Sequence, residues 1–279
     1  MNSVTVQVPA TTANLGPGFD VLGLALQLYN RITLRPGAES WPDAFMEEAA
    51  SHFYLKTGLP PQAFHVSISG SVPRSRGLGS SVTVRLGLLS GLNHLHQNPL
   101  SPEDILRLVI TLEGHPDNAV PAALGGFAAC AADRWFRTEV DPRLLFVACV
   151  PKFEVETKKA RSVLPAQIPL ADAILNLQNS SQLVAAFATR NYSLLKGSFG
   201  DRLHQPYRAQ LIPACLEAFA LAEKNGALGS FISGSGSTLM AICQDNPEPL
   251  VSAWTDFFGP ELEIIHVLAP DNQGVRILD

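Results

Sequence analysis

The chain has 279 residues, of which 46% are hydrophobic and 16% are charged. This balance is that of a globular protein and excludes a disordered chain, and the length suits one large or two medium-sized domains. The net charge is −5 and no basic cluster stands out, so we expect no nucleic-acid partner.

The first half of the chain predicts alternating strands and helices. Hydrophobic periodicity and turn residues predict strands over 4–8, 24–34, 65–69 and 144–150, and helices over 44–56 and 82–94. The first strand is expected to end at Pro9. Another helix should begin at Ser101 and Pro102, which favour a helix start, and should end at Gly114.

The second half predicts a separate unit. Helices are expected over 170–190 and 213–224, and paired strands at 231–232 and 239–243 around a Gly/Ser turn. In the first of these helices one side carries the apolar residues Ile174, Leu177, Val184 and Phe187. The class is α+β in two domains, and we expect a domain over 1–155 and another over 156–279.

Residues 76–81, with the sequence RGLGSS, follow a predicted strand and precede a predicted helix. We call this segment the phosphate loop. A helix N-terminus offers free N–H groups and the positive end of the helix dipole to phosphate. Gly77 and Gly79 allow the backbone to approach, and Ser80 and Ser81 add hydroxyl groups. No lysine follows the glycines, so this is not a Walker A loop. A plain Gly/Ser turn would have the same composition.

Two further segments favour a phosphate site. Glu113 lies at the predicted C-terminal end of a helix, where the dipole disfavours a carboxylate. A nearby Mg²⁺ ion would resolve that conflict, and a solvated carboxylate is the alternative. Residues 233–238, with the sequence SGSGST, form either a tight hairpin or a support for the phosphate loop across a domain interface.

Three segments together resemble the kinase superfamily of galactokinase, homoserine kinase, mevalonate kinase and phosphomevalonate kinase. They are residues 9–16, 73–81 and 233–238. The extension of the first motif through 23, and residues 113–118, are similar to the homoserine kinases in particular. The resemblance implies an N-terminal domain like the second domain of ribosomal protein S5 and a ferredoxin-like C-terminal domain. It also implies ATP and Mg²⁺ as cofactors and L-homoserine as the small-molecule substrate, on the route to threonine.

The resemblance assigns roles residue by residue. The ATP-binding residues are Pro73, Arg76, Gly77, Leu78, Gly79, Ser80 and Ser81. The metal ligands are Ser81 and Glu113, and the catalytic set is Glu113, Ser81, Asn118 and Asp20. The substrate-binding residues are Asn14, Asp20, His115, Asn118, Thr157, Arg161 and Arg208. Two features depart from the family pattern: Val82 and Thr83 stand where small residues are usual, and residues 41–43 replace an Asn that helps to place adenine.

These residue types suit an amino-acid substrate. Arg161 and Arg208 can bind a carboxylate through the planar guanidinium, and Asp20 can bind an ammonium group. Asn14 or Asn118 can hydrogen-bond the reacting hydroxyl. Asp20 is one candidate for the general base, and direct transfer of the hydroxyl proton to a phosphate oxygen is equally open. A kinase for another small alcohol, such as mevalonate or a sugar, and an inactive nucleotide-binding sensor remain the alternatives.

The sequence also indicates where the protein works. Its four cysteines have no C-x-x-C spacing, which favours buried thiols in a reducing compartment. The N-terminus lacks the pattern of a signal peptide, and no apolar stretch is long enough to span a bilayer. We therefore expect a cytoplasmic protein with no membrane partner. A homodimer is one assembly that the resemblance allows.

Overall fold

A computed structural model of the chain describes residues 3–278. The strands are β1 (Val4–Ala13), β2 (Leu22–Pro36), β3 (Phe64–Gly70), β4 (Phe127–Cys130), β5 (Trp135–Thr138), β6 (Leu144–Pro151), β7 (Gly229–Ile232), β8 (Leu239–Gln244), β9 (Leu262–Leu268) and β10 (Arg276–Leu278). The helices are α1 (Ala44–Thr57), α2 (Ser80–Leu95), α3 (Pro102–Glu113), α4 (Ala119–Leu124), α5 (Thr157–Ser162), α6 (Leu170–Thr189), α7 (Gln205–Arg208), α8 (Cys215–Lys224) and α9 (Glu248–Phe258).

The first sheet is antiparallel and has the order β10-β1-β2-β4-β5, with β3 also paired to β2. Helix α2 lies against β1 and β2, and α1 and α3 pack on α2. Val6, Ile32, Phe53 and Leu89 are fully buried in the core that these elements enclose. The helix that follows the phosphate loop is therefore fixed between a sheet and two other helices.

Strand β1 runs beyond its predicted end at Pro9. It continues to Ala13, and the register against β2 shifts between Pro9 and Ala10. A proline has no N–H group for the ladder, and a bulge lets the pairing resume beyond it. The prediction was wrong at this end because proline stops a regular ladder but not a bulged one.

The second sheet has the order β7-β8-β6-β9 and is also antiparallel. Its strands and main helices follow the β-α-β-β-α-β order of a ferredoxin-like unit, in which β6 is the first strand and α8 and α9 pack together. Strand β6 thus pairs in the second sheet, although the predicted boundary after residue 155 assigns it to the first domain. Strand β10 returns to the first sheet beside β1.

Local sequence signals set the helix ends. The Ser101 side chain accepts from the amide of Asp104, whose carboxylate accepts in return from the amide of Ser101, and Gly114 ends α3. Asp43 caps α1 by a single hydrogen bond, in which its carboxylate accepts from the amide of Met46. The C-terminal residue of α3, Glu113, is therefore held in place by a well-defined helix.

The two sheets share a second core. Phe127 of β4 stacks on Phe187 of α6 with ring centroids 4.2 Å apart, and both side chains are fully buried. The four cysteines of the chain are free and buried, as the sequence predicts. Among the helices of residues 3–278, none combines the length and the apolar character that a membrane span requires.

Candidate active site

One cavity of about 420 Å³ is lined by residues from both halves of the chain. The predicted site residues in its lining are Asn14, Asp20, Arg76, Gly77, Gly79, Ser80, Ser81, Glu113, His115, Asn118, Thr157, Arg161 and Arg208. Pro73 and Leu78 lie outside this lining, and Leu78 is fully buried in the core between the sheets. The structure thus brings together side chains that are far apart in the sequence.

The phosphate loop turns through two glycines in the left-handed region. Gly77 has φ +76° and Gly79 has φ +68°, and α2 begins directly after Gly79. A Cβ atom at 77 would collide with the carbonyl oxygen of Ser233, and one at 79 with the hydroxyl of Thr11. The first N–H groups of α2 have no carbonyl acceptor in a preceding turn of the helix, so they are free to bind an anion.

Residues 233–238 support this loop from the second domain. The Ser233 hydroxyl donates to the Gly77 carbonyl oxygen at 2.7 Å and accepts from the Thr12 hydroxyl at 2.8 Å. The amide of Thr238 donates to the carbonyl oxygen of Arg76 at 3.2 Å. The amide of Ser233 also donates to the carbonyl oxygen of Thr238. The segment is therefore a closed turn that also supports the phosphate loop.

The side chain of Arg76 belongs to the domain contact. Its Nη1 lies 2.9 Å from Glu154 Oε1, and its Nη2 donates to Glu263 at 3.2 Å and to the Lys152 carbonyl oxygen at 3.1 Å. Only 9% of the side chain is exposed. With the guanidinium engaged in this way, Arg76 ties the phosphate loop to the second sheet.

The carboxylate of Glu113 is buried and has two partners. Its Oε2 accepts from the Ser81 hydroxyl at 2.9 Å, and its Oε1 accepts from Arg85 Nη1 at 3.0 Å. Only 8% of the Glu113 side chain is exposed. The cation of Arg85 therefore offsets the helix dipole at this carboxylate, and a solvated carboxylate is excluded. Sequence reasoning missed Arg85 because its position in α2 carries no motif.

The oxygen donors at this point suit a hard cation. Glu113 Oε2 and the Ser81 hydroxyl are adjacent and both residues line the cavity. In residues 3–278 no cluster of three or more His, Cys, Asp or Glu side chains is arranged to hold a metal. Mg²⁺ often takes only one or two protein oxygens beside substrate phosphates and water, so this sparse donor set fits it.

Asp20 and Arg161 form the charged wall of the cavity. Arg161 donates through both terminal nitrogens to the two oxygens of Asp20, at 2.8 and 3.0 Å. Asp20 follows β1 and has φ +57°, and its amide donates to Asn14 Oδ1 at 3.0 Å. Asn14 also donates to the Gly234 carbonyl oxygen at 2.8 Å, so it fixes the backbone on both sides of the cavity.

Arg208 is almost fully buried, with 2% of the residue exposed. Its Nε donates to the Ala160 carbonyl oxygen at 3.2 Å and its Nη1 to the Gly234 carbonyl oxygen at 2.9 Å. Burial lowers the pKa of Arg208 to about 10, so the guanidinium is still charged at neutral pH. The ring of Phe19 lies 5.0 Å from this guanidinium and 5.5 Å from that of Arg161.

His115, Asp117 and Asn118 form a polar corner between α3 and α4. His115 Nδ1 lies 2.9 Å from Asp117 Oδ1, and this hydrogen bond raises the pKa of His115 above its usual range. Asn118 Oδ1 accepts from the Thr11 hydroxyl at 2.7 Å. Asp117 was not among the predicted residues, although it lies inside the predicted segment. Thr157, at the start of α5, has its hydroxyl 3.3 Å from that of Ser235.

An apolar part of the lining was not predicted. It consists of Phe45, Met46, Ile68 and Val84. Two of these residues belong to α1, directly after the segment 41–43 that departs from the family pattern. The only sequence signal was that departure, since the side chains come from three elements.

Family models match both halves of the chain, and related proteins match it over nearly its whole length. The model of the GHMP kinases N terminal domain matches residues 44–126, and the GHMP kinases C terminal model matches residues 172–259. Homoserine kinase of Moorella thermoacetica is 38% identical over 295 residues, which cover 98% of this chain and 99% of that protein. Homoserine kinase of Clostridium beijerinckii is 36% identical, with 99% of each chain covered.

Solved structures extend the comparison. The crystal structure of homoserine kinase from Cytophaga hutchinsonii aligns with a TM-score of 0.91 at 27% identity, covering 100% of this chain and 98% of that one. A mevalonate kinase structure aligns with a TM-score of 0.73 at 14% identity over 96% and 99% of the two chains, which shows a shared fold alone. With family models and near full-length relatives in agreement, the chain has the α+β two-domain fold of the GHMP kinases and belongs to that family, in its homoserine kinase branch.

Proposed function

We propose that this chain transfers the γ-phosphoryl group of ATP to the side-chain hydroxyl of L-homoserine and forms O-phospho-L-homoserine. One observation carries the proposal: the phosphate loop and the Asp20–Arg161 pair line the same cavity. An anion site beside a pair of opposite charges suits one nucleotide and one zwitterion. The names of the relatives in the homoserine kinase branch support the same substrate.

The nucleotide would use the loop and the apolar lining. The free amides at the start of α2 and the hydroxyl groups of Ser80 and Ser81 would bind its phosphates. Phe45, Met46, Ile68 and Val84 would contact the base, since an apolar lining suits a flat heterocycle. This arrangement supports ATP as the phosphoryl donor, and the adenine would then bind without the usual Asn.

Glu113 and Ser81 would hold Mg²⁺ with the nucleotide. The bound ion would neutralise charge on the phosphates. Glu113 Oε2 and the Ser81 hydroxyl are adjacent, and Arg85 occupies the other oxygen of the carboxylate. The two residues would therefore present their oxygens to one point beside the start of α2.

The substrate would replace the contact between Asp20 and Arg161. Its ammonium group would bind Asp20, and its carboxylate would bind Arg161 and Arg208. Each charge of the zwitterion would then contact a side chain of opposite charge. About a third of each side chain in the Asp20–Arg161 pair is exposed, so an incoming molecule has access to it. His115 and Thr157 would line the same part of the cavity.

Phosphoryl transfer then requires alignment more than covalent chemistry. A bond forms between the homoserine hydroxyl oxygen and the γ-phosphorus, while the bond to the oxygen bridging the β and γ groups breaks. Asn118 would orient the hydroxyl, and the loop amides would stabilise the charge that develops. The hydroxyl proton would go to a phosphate oxygen, or to Asp20 if the ammonium group leaves one of its carboxylate oxygens free.

A coupled assay of ADP release tests the proposal. With Mg²⁺ and ATP, we expect the highest kcat/KM for L-homoserine among L-homoserine, mevalonate, galactose and L-serine. Equal or faster turnover of mevalonate or galactose would overturn the substrate. ATP binding by calorimetry without ADP release for any alcohol would instead support the alternative of an inactive sensor.

A further inference from the structure

The side chain of Arg85 connects three helices, because it projects from one and contacts two others. It projects from α2, and 10% of it is exposed. Its Nη1 donates to the Leu112 carbonyl oxygen at 2.5 Å and to Glu113 Oε1 at 3.0 Å, both at the end of α3. Its Nη2 donates to Glu48 Oε2 on α1 at 2.7 Å. The guanidinium is therefore held by both α1 and α3.

A ring closes a third side of this guanidinium. The Phe45 ring centroid lies 4.2 Å from Arg85 Cζ, close enough for a cation–π contact. Phe45 also lines the active-site cavity, whereas Glu48 is half exposed on the far side of the arginine. Arg85 is thus packed between the cavity wall and the surface of α1, with little freedom to rotate.

These contacts determine how Glu113 is oriented. A carboxylate at the end of a side chain rotates readily about its last bond, which is a broad torsion. Here Arg85 holds Oε1, so Oε2 is the oxygen that faces the Ser81 hydroxyl.

We propose that Arg85 is a positioning residue for the metal site: by holding Oε1 of Glu113, it directs Oε2 towards the cation that accompanies the nucleotide. This inference rests on the proposed function, because it needs a metal at Glu113 and Ser81. Arg85 does not line the cavity and would touch neither substrate. Its influence on the metal would pass through Glu113, whereas its contact with Phe45 bears on the wall of the cavity.

Two physical effects of Arg85 have opposite signs. Orientation of Glu113 strengthens metal binding, whereas a positive guanidinium repels a divalent cation. Positioning predicts that removal of Arg85 weakens metal binding. A dominant repulsion predicts that the same change tightens it.

Binding of Mn²⁺ in the presence of ADP, followed by electron paramagnetic resonance, separates these outcomes. We expect Arg85→Met to raise the Mn²⁺ dissociation constant about 10- to 100-fold, as loss of a partner behind a metal ligand typically does. Arg85→Lys should recover part of the loss, since an ammonium can reach one oxygen but lacks the fork. Glu48→Ala is the matched control: it removes the other carboxylate contact of Arg85 and should change the constant less than about threefold.

Two further measurements keep the test specific. ADP affinity in EDTA should be the same for wild type and Arg85→Met, because the arginine acts on the metal and not on the phosphates. In a Glu113→Gln background, Arg85→Met should have no additional effect on Mn²⁺ binding. Variants are compared only where thermal unfolding stays cooperative, and Arg85→Lys carries the test if Arg85→Met does not fold.

Each contrary outcome has one meaning. Unchanged or tighter Mn²⁺ binding in Arg85→Met overturns the inference, as does an equal loss in Glu48→Ala, which would indicate a role in folding only. If wild-type protein with ADP binds no Mn²⁺, the proposed metal site itself fails.

Discussion

Asp20 and Arg161 form a two-pronged ion pair, with nitrogen–oxygen distances of 2.8 and 3.0 Å, although 141 positions separate them in the sequence. Asp20 belongs to the loop after β1 and Arg161 to α5, so the pair joins the two halves of the chain across the cavity. The charges of the proposed substrate site therefore neutralise each other when no substrate is bound. A neutral alcohol cannot replace both partners of this pair, whereas a zwitterion can.

Asp20→Asn should lower kcat/KM for L-homoserine by about 10- to 150-fold, because a charge-assisted hydrogen bond is worth about 1.5–3 kcal/mol. Asn tolerates the left-handed backbone at this position, so the loop should keep its shape. Asp141→Asn is the matched control, since Asp141 pairs with Arg143 in the same manner outside the cavity. An equal loss of ATP affinity in Asp20→Asn would contradict the assignment. Steady-state kinetics measures kcat/KM, and calorimetry measures the ATP affinity.

Arg208→Ala should lower kcat/KM for L-homoserine by about 10- to 150-fold and should also reduce the free energy of unfolding. The second effect follows because the carbonyl oxygens of Ala160 and Gly234 each lose a donor. Arg208→Lys should recover only part of the activity, as an ammonium lacks the planar fork. A loss of less than about fivefold in the Ala variant would indicate that Arg208 is not a substrate ligand. Urea unfolding measured beside the kinetics separates the two effects.

Glu113→Gln should raise the activation free energy for kcat by several kcal/mol, because it removes the charge of one proposed metal ligand. Glu103→Gln provides the control, since Glu103 lies on the same helix and pairs with Arg107 at the surface. The control should keep kcat within about twofold, as an exposed pair contributes at most about 1 kcal/mol to stability and none to the site. Retention of more than about half of the wild-type kcat in Glu113→Gln would exclude it as a metal ligand.

Gly77→Ala should weaken ADP binding by about tenfold or more, which corresponds to about 1.4 kcal/mol. The added Cβ would collide with the carbonyl oxygen of Ser233 and displace the loop. Gly58→Ala is the control, because Gly58 has a similar φ of +69° but no heavy atom near the position of the added Cβ. Both variants bear the strain of a left-handed alanine. If fluorescence titration gives the same ADP affinity for both, the contact with Ser233 does not shape the loop.

Stability towards acid should depend on His204. Burial, more than any neighbouring charge, lowers the pKa of His204 from its usual 6.5 to about 4. Between these two values the unfolded chain takes up a proton that the folded chain does not, so the free energy of unfolding falls as the pH falls from about 6.5 to about 4. The slope from this group is at most about 1.4 kcal/mol per pH unit.

His204→Gln should remove that part of the pH dependence, although it also disturbs the hydrogen bond from His204 Nε2 to the Gly16 carbonyl oxygen. Urea unfolding of both proteins at pH 4.5, 5.5 and 7 measures the slopes. Parallel curves for wild type and variant would show that His204 is not the titrating group.

Local signals in the sequence were sufficient for parts of the fold and the site. The start and end of α3 could be predicted because Ser101 and Gly114 act within one turn of the chain. The phosphate loop could be predicted for the same reason, as its glycines, serines and following helix are contiguous. The boundaries were less accurate where distant strands decide, as at β6, whose partners β8 and β9 lie far along the chain.

Contacts between elements account for what the sequence did not reveal. In α6, Ile174 and Leu177 form part of the predicted apolar side, yet they are 45% and 68% exposed. Asn176 is buried instead, because its side-chain amide donates to Asp201 and to the Pro17 carbonyl oxygen. Arg85 was missed in the same way, since its role depends on α1 and α3. Periodicity within one helix does not reveal such residues, because contacts with other elements decide their roles.

The side chain of Arg76 gives the phosphate loop a mechanical connection to the edge of the second sheet. Any ligand that orders the loop must also favour the state in which Arg76 holds Glu263 of β9 and the carbonyl oxygen of Lys152. Amide hydrogen exchange at Lys152, whose N–H donates to the carbonyl oxygen of Glu261, should therefore slow when ADP binds. Thermodynamic reciprocity requires the converse, so loosening this edge with Glu263→Gln should weaken nucleotide binding at a distance. We therefore expect the hydrogen bonds at the junction of the two domains to become more protected when a nucleotide binds.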